Sequence, residues 1–201
     1  MWTVFTVGGT RPGSARLPGL RGLMTCVGLA MFSWPTSETL ARAEEGGSAT
    51  VEEVTAKVEE AARFLHDKGQ AGFSDFGGSA RWVWKDSYVF VFSCLEDRML
   101  AHPLRPDLVG RSILQMEDEK GNLLFRKLCE AGQTESGGWV EYWWPKPGEA
   151  KASRKITYTR PAEVSFRADV RVGAGIYDAE RSVAKLNQGL EADPGARKDA
   201  P

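Results

Sequence analysis

Residues 88–103, Tyr-Val-Phe-Val-Phe-Ser-Cys-Leu-Glu-Asp-Arg-Met-Leu-Ala-His-Pro, limit what this chain can fold into more than any other stretch. Residues 88–92 are β-branched or aromatic throughout, the pattern of a strand buried on both faces. Glu96-Asp97-Arg98 supplies a polar turn, and residues 99–101 return as a second apolar strand that ends at His102. Pro103 then stops the ladder, because it has no N–H to donate. The expected product is a β-hairpin that delivers one imidazole to the rim of a sheet.

The flanking segments supply partners for that hairpin. Thr50-Val-Glu-Glu53 has the form of a capping box, and Val51, Val54, Val58, Ala61 and Leu65 recur behind it at three- and four-residue spacing. Gly69 is the natural stop, so a helix of about five turns is predicted to lie across the sheet. Residues 82–84 read as a short strand turned by Lys85-Asp86-Ser87, and residues 121–131 as a helix with Leu124, Phe125, Leu128 and Cys129 on its apolar side. Strands are expected at 139–144, 155–159 and 170–177, the last placing Val170, Val172, Ala174 and Ile176 on one face. A closing helix carries Val183, Leu186 and Leu190. Sequential strands joined by short turns imply an antiparallel sheet with flanking helices, an α+β domain. Gly173-Ala-Gly175 lacks the third glycine of a dinucleotide loop and begins inside a strand. It reads instead as a place of close approach or a bulge.

The first 43 residues differ in kind. Arg11, Arg16 and Arg21 precede an apolar stretch over 23–33, and Ala41-Arg42-Ala43 follows. That order describes a cleavable secretory signal cut after Ala43, from either Met1 or Met24. An uncleaved membrane anchor is the alternative, although the run falls short of the ~20 residues a spanning helix needs. Domain limits of 44–190 follow, with a disordered tail over 191–201. Removal of the leader takes away four arginines and one glutamate, leaving the remainder more acidic than the whole chain at −1. No basic stripe exists to neutralise phosphates, which argues against nucleic-acid binding. Cys26 leaves with the leader, and Cys94 and Cys129 then either pair or remain as buried thiols.

Candidate site residues come from strand alternation. Trp139, Glu141 and Trp143 face one way, and Val140, Tyr142 and Trp144 the other. Aromatics on both faces need cover on both: a helix on one, a cavity wall on the other. Lys155 opens a strand that also carries Tyr158, and an ammonium inside an apolar cavity is costly unless an anion meets it. His102 is either a satisfied strand-end histidine or a rim contact. Enzyme chemistry has little to work with: no Cys/His spacing suits a metal, and no nucleophile elbow is present. His66, at the end of the first helix, suits the helix dipole.

The segments YVFVFSCLEDRMLAHP at 88–103, LVGRS at 108–112, GGWVEYWWPKP at 137–147, KITY at 155–158 and GAGIY at 173–177 resemble, in wording and order, the single-domain Cache family, type 2. The chain departs at Cys94, where the family usually has an acidic residue, and at Asp97, where it often has Gly. The resemblance implies an extracytoplasmic PAS-like fold, with a long N-terminal helix packed on a curved antiparallel sheet and a short C-terminal helix. It further implies that the concave side holds a small organic molecule, often a carboxylate. Tyr88, Phe90, His102, Trp139, Tyr142, Trp144, Lys155 and Tyr158 are the ligand contacts expected on that basis, with no catalytic residue, metal or cofactor. The expected function is a periplasmic or secreted sensor-type domain that binds a small organic acid without chemistry and without its own output region. Its expected partner is a membrane sensor kinase, chemoreceptor or transporter, and a homodimer is a further expectation. The competing readings are an interaction subunit docking through its aromatic sheet, and a lyase or hydrolase using His102 as base.

Overall fold

The computed structural model describes residues 47–192 apart from Phe166 and Ala168. The expected leader and its cleavage point lie outside the described residues, as does all of the expected tail beyond Ala192.

Helix α1 (Val51–Lys68) starts as its capping box predicts. The Glu53 N–H donates to the Thr50 hydroxyl, and the Thr50 N–H donates to the Glu53 carboxylate. The helix ends at Gly69, whose φ of 63° lies in the left-handed region. Its stripe of Val54, Val58, Ala61 and Leu65 is fully buried. A 3-10 segment (Gly69–Phe76) leads to strand β1 (Val83–Trp84). This strand begins one residue later than expected, because Ala80–Trp82 forms a 3-10 turn whose Arg81 N–H donates to the Ser79 hydroxyl.

The apolar run at 88–92 is two strands rather than one. Strand β2 (Ser87–Tyr88) pairs with β1, and β3 (Phe90–Ser93) pairs with β4 (Arg98–Ala101). Between them the Val89 N–H leaves the ladder and donates to the Trp82 carbonyl at 2.9 Å. The hairpin turn holds Asp97 at φ 49°, in the left-handed region that favours glycine. Here the Asp97 carboxylate compensates by accepting the N–H groups of Ile113 (2.8 Å) and Leu114 (2.6 Å).

Helix α2 (Leu124–Ala131) is shorter than the expected 121–131. Asp118 draws the preceding residues into a loop by accepting the N–H groups of Lys120 and Asn122, and Gly121 turns at φ 74°. The expected strands then follow as β5 (Gly138–Pro145), β6 (Ala152–Pro161) and β7 (Val170–Ile176). Helix α3 (Val183–Ala192) closes the described chain, two residues beyond the expected limit of 190.

The main sheet is antiparallel, in the order β4-β3-β7-β6-β5. One face packs Val91, Ile156, Val172 and Ala174 against α1. The other packs Phe90, Phe92, Met99 and Tyr142 against Leu124, Phe125 and Leu128 of α2. Cys94 and Cys129 are disulfide-bonded with a Cα separation of 5.9 Å, tying the hairpin turn to α2.

Candidate ligand-binding site

The strand period of two distributes the aromatic residues. In β6, Ile156 and Tyr158 point toward α1, so Lys155, Thr157 and Thr159 occupy the opposite face. Tyr142 stands across from Lys155 in β5, and Gly175 across from Thr157 in β7. A Cβ at Gly175 would lie 2.8 Å from Lys155 Cε and 2.5 Å from Thr157 Oγ1. The missing side chain makes the channel in which the lysine runs. Gly173 does the same for Phe90, whose ring would meet a Cβ at 3.0 Å. Close approach, one of the two sequence readings of these glycines, is what they provide; the register irregularity in this sheet lies instead between Val91 and Phe92.

Lys155 is completely buried and its Nζ makes no hydrogen bond among the described residues. It rests 3.8 Å from the centroid of the Tyr88 ring, with Tyr177 at 5.3 Å and Phe90 at 5.6 Å. Ring quadrupoles attract a cation but do not replace its lost hydration. Burial therefore pulls the amine down to about 7, against a smaller upward pull from the Asp86 carboxylate.

His102 is buried beside it, its ring centroid 4.8 Å from that of Tyr88. Its Nδ1 accepts the N–H groups of Leu104 (3.3 Å) and Arg105 (3.0 Å), which assigns the proton of the neutral ring to Nε2. Burial, helped by the charges of Lys155 and Arg105, pushes the imidazole down to about 3. A ring in this state donates one hydrogen bond and has no free lone pair with which to act as a base.

A cavity of about 410 Å³ opens at this end of the sheet. Tyr88, His102, Leu104, Arg105 and Trp144 line it, with residues 145–150 of the β5–β6 connection. The Tyr177 hydroxyl donates to the Pro145 carbonyl at 2.6 Å and holds that connection in place. Arg105 is engaged by both oxygens of Asp107.

Of the residues expected to touch a ligand, Tyr88, His102 and Trp144 line the cavity. Phe90, Tyr142 and Lys155 stand on the same sheet face directly behind it. Trp139 and Tyr158 are set apart from the other six. They are paired in register, contact each other at 5.2 Å and belong to the core against α1. Strand phase is the reason: both are one residue out of step with Tyr142 and Lys155. Sequence reasoning passed over Arg105 and Tyr177, and read Gly175 as a place of close approach or a bulge without linking it to Lys155. Tyr177 and Gly175 share a phase along 173–177, a usable signal, whereas nothing marks Arg105 in its loop. The aromatics of the sheet are buried or half-buried, and the large exposed apolar residues among those described are Leu95, Leu104 and Val109.

An α+β domain whose five-stranded sheet carries a long helix on one face, with a pocket and a buried amine on the other, has the form of a PAS-like sensor module. The profile of the family Single Cache domain 2 matches residues 36–187, and the chain belongs to that family. The match begins within the segment read as a leader. Over 73 residues the chain is 29% identical to the methyl-accepting chemotaxis protein McpP of Pseudomonas putida, a stretch covering 36% of this chain and 13% of that receptor. A methyl-accepting chemotaxis protein of Vibrio parahaemolyticus has a similar solved structure: TM-score 0.51 at 22% identity, covering 63% of this chain and 86% of the other. A Cache chemosensory domain solved for its recognition of carboxylic acid gives a TM-score of 0.49 at 23% identity, over 63% and 91% of the two chains.

Proposed function

We propose that this Cache domain is a periplasmic sensor module whose ligand is a small organic anion, a carboxylate, bound in the cavity at Tyr88, His102 and Trp144. The observation that carries the reading is the Lys155 amine, buried behind the cavity wall and without a hydrogen-bond partner among the described residues. A carboxylate exchanges its weak ring contacts for an ion pair, and the His102 Nε2–H offers a second donor. Trp144, Leu104 and Pro145 supply apolar wall for a short carbon chain. The disulfide suits an oxidising compartment, in keeping with export after cleavage at Ala43. The partner is then a membrane chemoreceptor or sensor kinase that reads the bound state.

A thermal-shift panel of acetate, propionate, succinate and benzoate tests this. A ligand at 100 times its Kd adds about 2.7 kcal/mol, which raises Tm by roughly 5–10 °C for a domain of this size. Lys155→Met should lose that response. The ligand-free variant should also melt higher than the parent, since it no longer buries an amine whose displacement costs about 1.4 kcal/mol per pKa unit. No shift with any acid sinks the carboxylate reading.

A further inference from the structure

We propose that anion capture at this site takes up one proton, so that the domain reads its ligand and the acidity of its compartment together. The inference rests on the carboxylate reading above and specifies how that site is regulated.

Lys155 is held in a channel over Gly175 that leaves its Nζ facing rings, with no carboxylate bonded to it among the described residues. The ligand-free site thus favours the neutral amine, whereas an ion pair with a carboxylate requires the ammonium. The proton must come from solvent whenever the amine was empty beforehand.

The groups facing Lys155 do not titrate in its place. From β2 comes Tyr88 and from β5 Tyr142, with Tyr177 just past β7, and burial raises all three phenols well above neutrality. His102, at the end of β4, stays neutral down to about 3. Asp86, in the β1–β2 turn, accepts the Ala49 N–H at 2.7 Å, and its charge pulls the Lys155 amine upward. Arg105 is paired with Asp107, and Lys146 lies 5.7 Å from the Tyr177 ring. A small carboxylic acid is ionised throughout the neutral range. Between about pH 6 and pH 9, Lys155 changes charge at the site. With the free amine at about 7 and the ion-paired amine well above it, affinity is nearly flat below neutrality. Above it, each pH unit weakens binding about tenfold.

Isothermal titration of the full chain with the same four acids, in phosphate and in Tris, reads the proton directly, because the two buffers release protons with very different heats. At about pH 8 the expected uptake is close to one proton per anion bound, with Kd roughly tenfold weaker than at about pH 6. At about pH 6 the uptake should be close to zero. Lys155→Arg, which keeps its proton, should bind with no pH dependence; the two-buffer comparison needs no variant should this one fail to fold. Equal heats in both buffers with a constant Kd would overturn the inference and leave the carboxylate reading standing. Absence of binding heat with every acid at both pH values overturns both.

Discussion

Lys155 and His102 are both bases forced toward neutrality by the same low-dielectric surroundings, yet they load the fold differently. The amine has no hydrogen-bond partner among the described residues, whereas the imidazole is secured in its neutral form by two backbone N–H groups. For His102 the folded value near 3 lies below the ordinary value of 6.5, so the unfolded chain takes up the proton first as pH falls. Its contribution is complete above about pH 6.5 and is lost progressively between there and about pH 3. Relative to the parent, His102→Asn, whose Oδ1 can accept the same two N–H groups, should remove up to about 1.4 kcal/mol of acid destabilisation per pH unit across that window. Urea midpoints at about pH 7 and pH 4.5 measure this, and parallel losses in both proteins would place the acid sensitivity elsewhere. The inward orientation of Lys155 was legible as an unusual lysine beside aromatic strands. The engagement of His102 Nδ1 was not, because it depends on how residues 103–105 fold back over the ring.

Elements were more legible than their ends. Both termini of α1 follow from Thr50-Glu53 and Gly69, since capping is local chemistry. The split of the 88–92 run at Val89 is not local: it depends on where the Trp82 carbonyl lies. The outer edge of β5 shows the same dependence. The Trp139 N–H donates to the side chain of Asn187 on α3, and the Trp143 N–H donates to Asp118, so side chains remote in sequence cover an edge that is otherwise open to pairing. The disulfide joins two elements that sequence could only list as possible partners. Its cysteines are 35 residues apart, for which loop-closure entropy gives about 4 kcal/mol. Reduction, or the Cys94→Ala and Cys129→Ala pair, should lower unfolding stability by roughly that amount. A denaturation midpoint unchanged by full reduction would contradict it.

At the scale of the whole molecule, the first and last strands of the core, β3 and β7, lie side by side at the centre of the sheet. The candidate site is thus assembled from residues 88, 102, 144, 155 and 177, contributed by nearly the full length of the domain. No helix among the described residues is long and apolar enough to cross a membrane. Export through the leader predicts that protein recovered from the periplasm of an expressing bacterium begins at Glu44 when its N-terminus is sequenced. A product starting at Met1 or Met24 would show the leader retained.

By itself the sequence determined where the main helices and strands lie, which residues of each strand share a face, and the membership of a sensor family. The elements and their faces follow from short-range periodicity, capping and turn chemistry, which act within a few residues, whereas the family follows from the wording and order of whole segments. Only the tertiary structure decided that Trp139 and Tyr158 belong to the α1 core, that Cys94 meets Cys129, and that Lys155 runs over Gly175 toward Tyr88. Each of these depends on the register and stacking of strands distant in sequence, where a single residue of phase moves a side chain from one face of the sheet to the other.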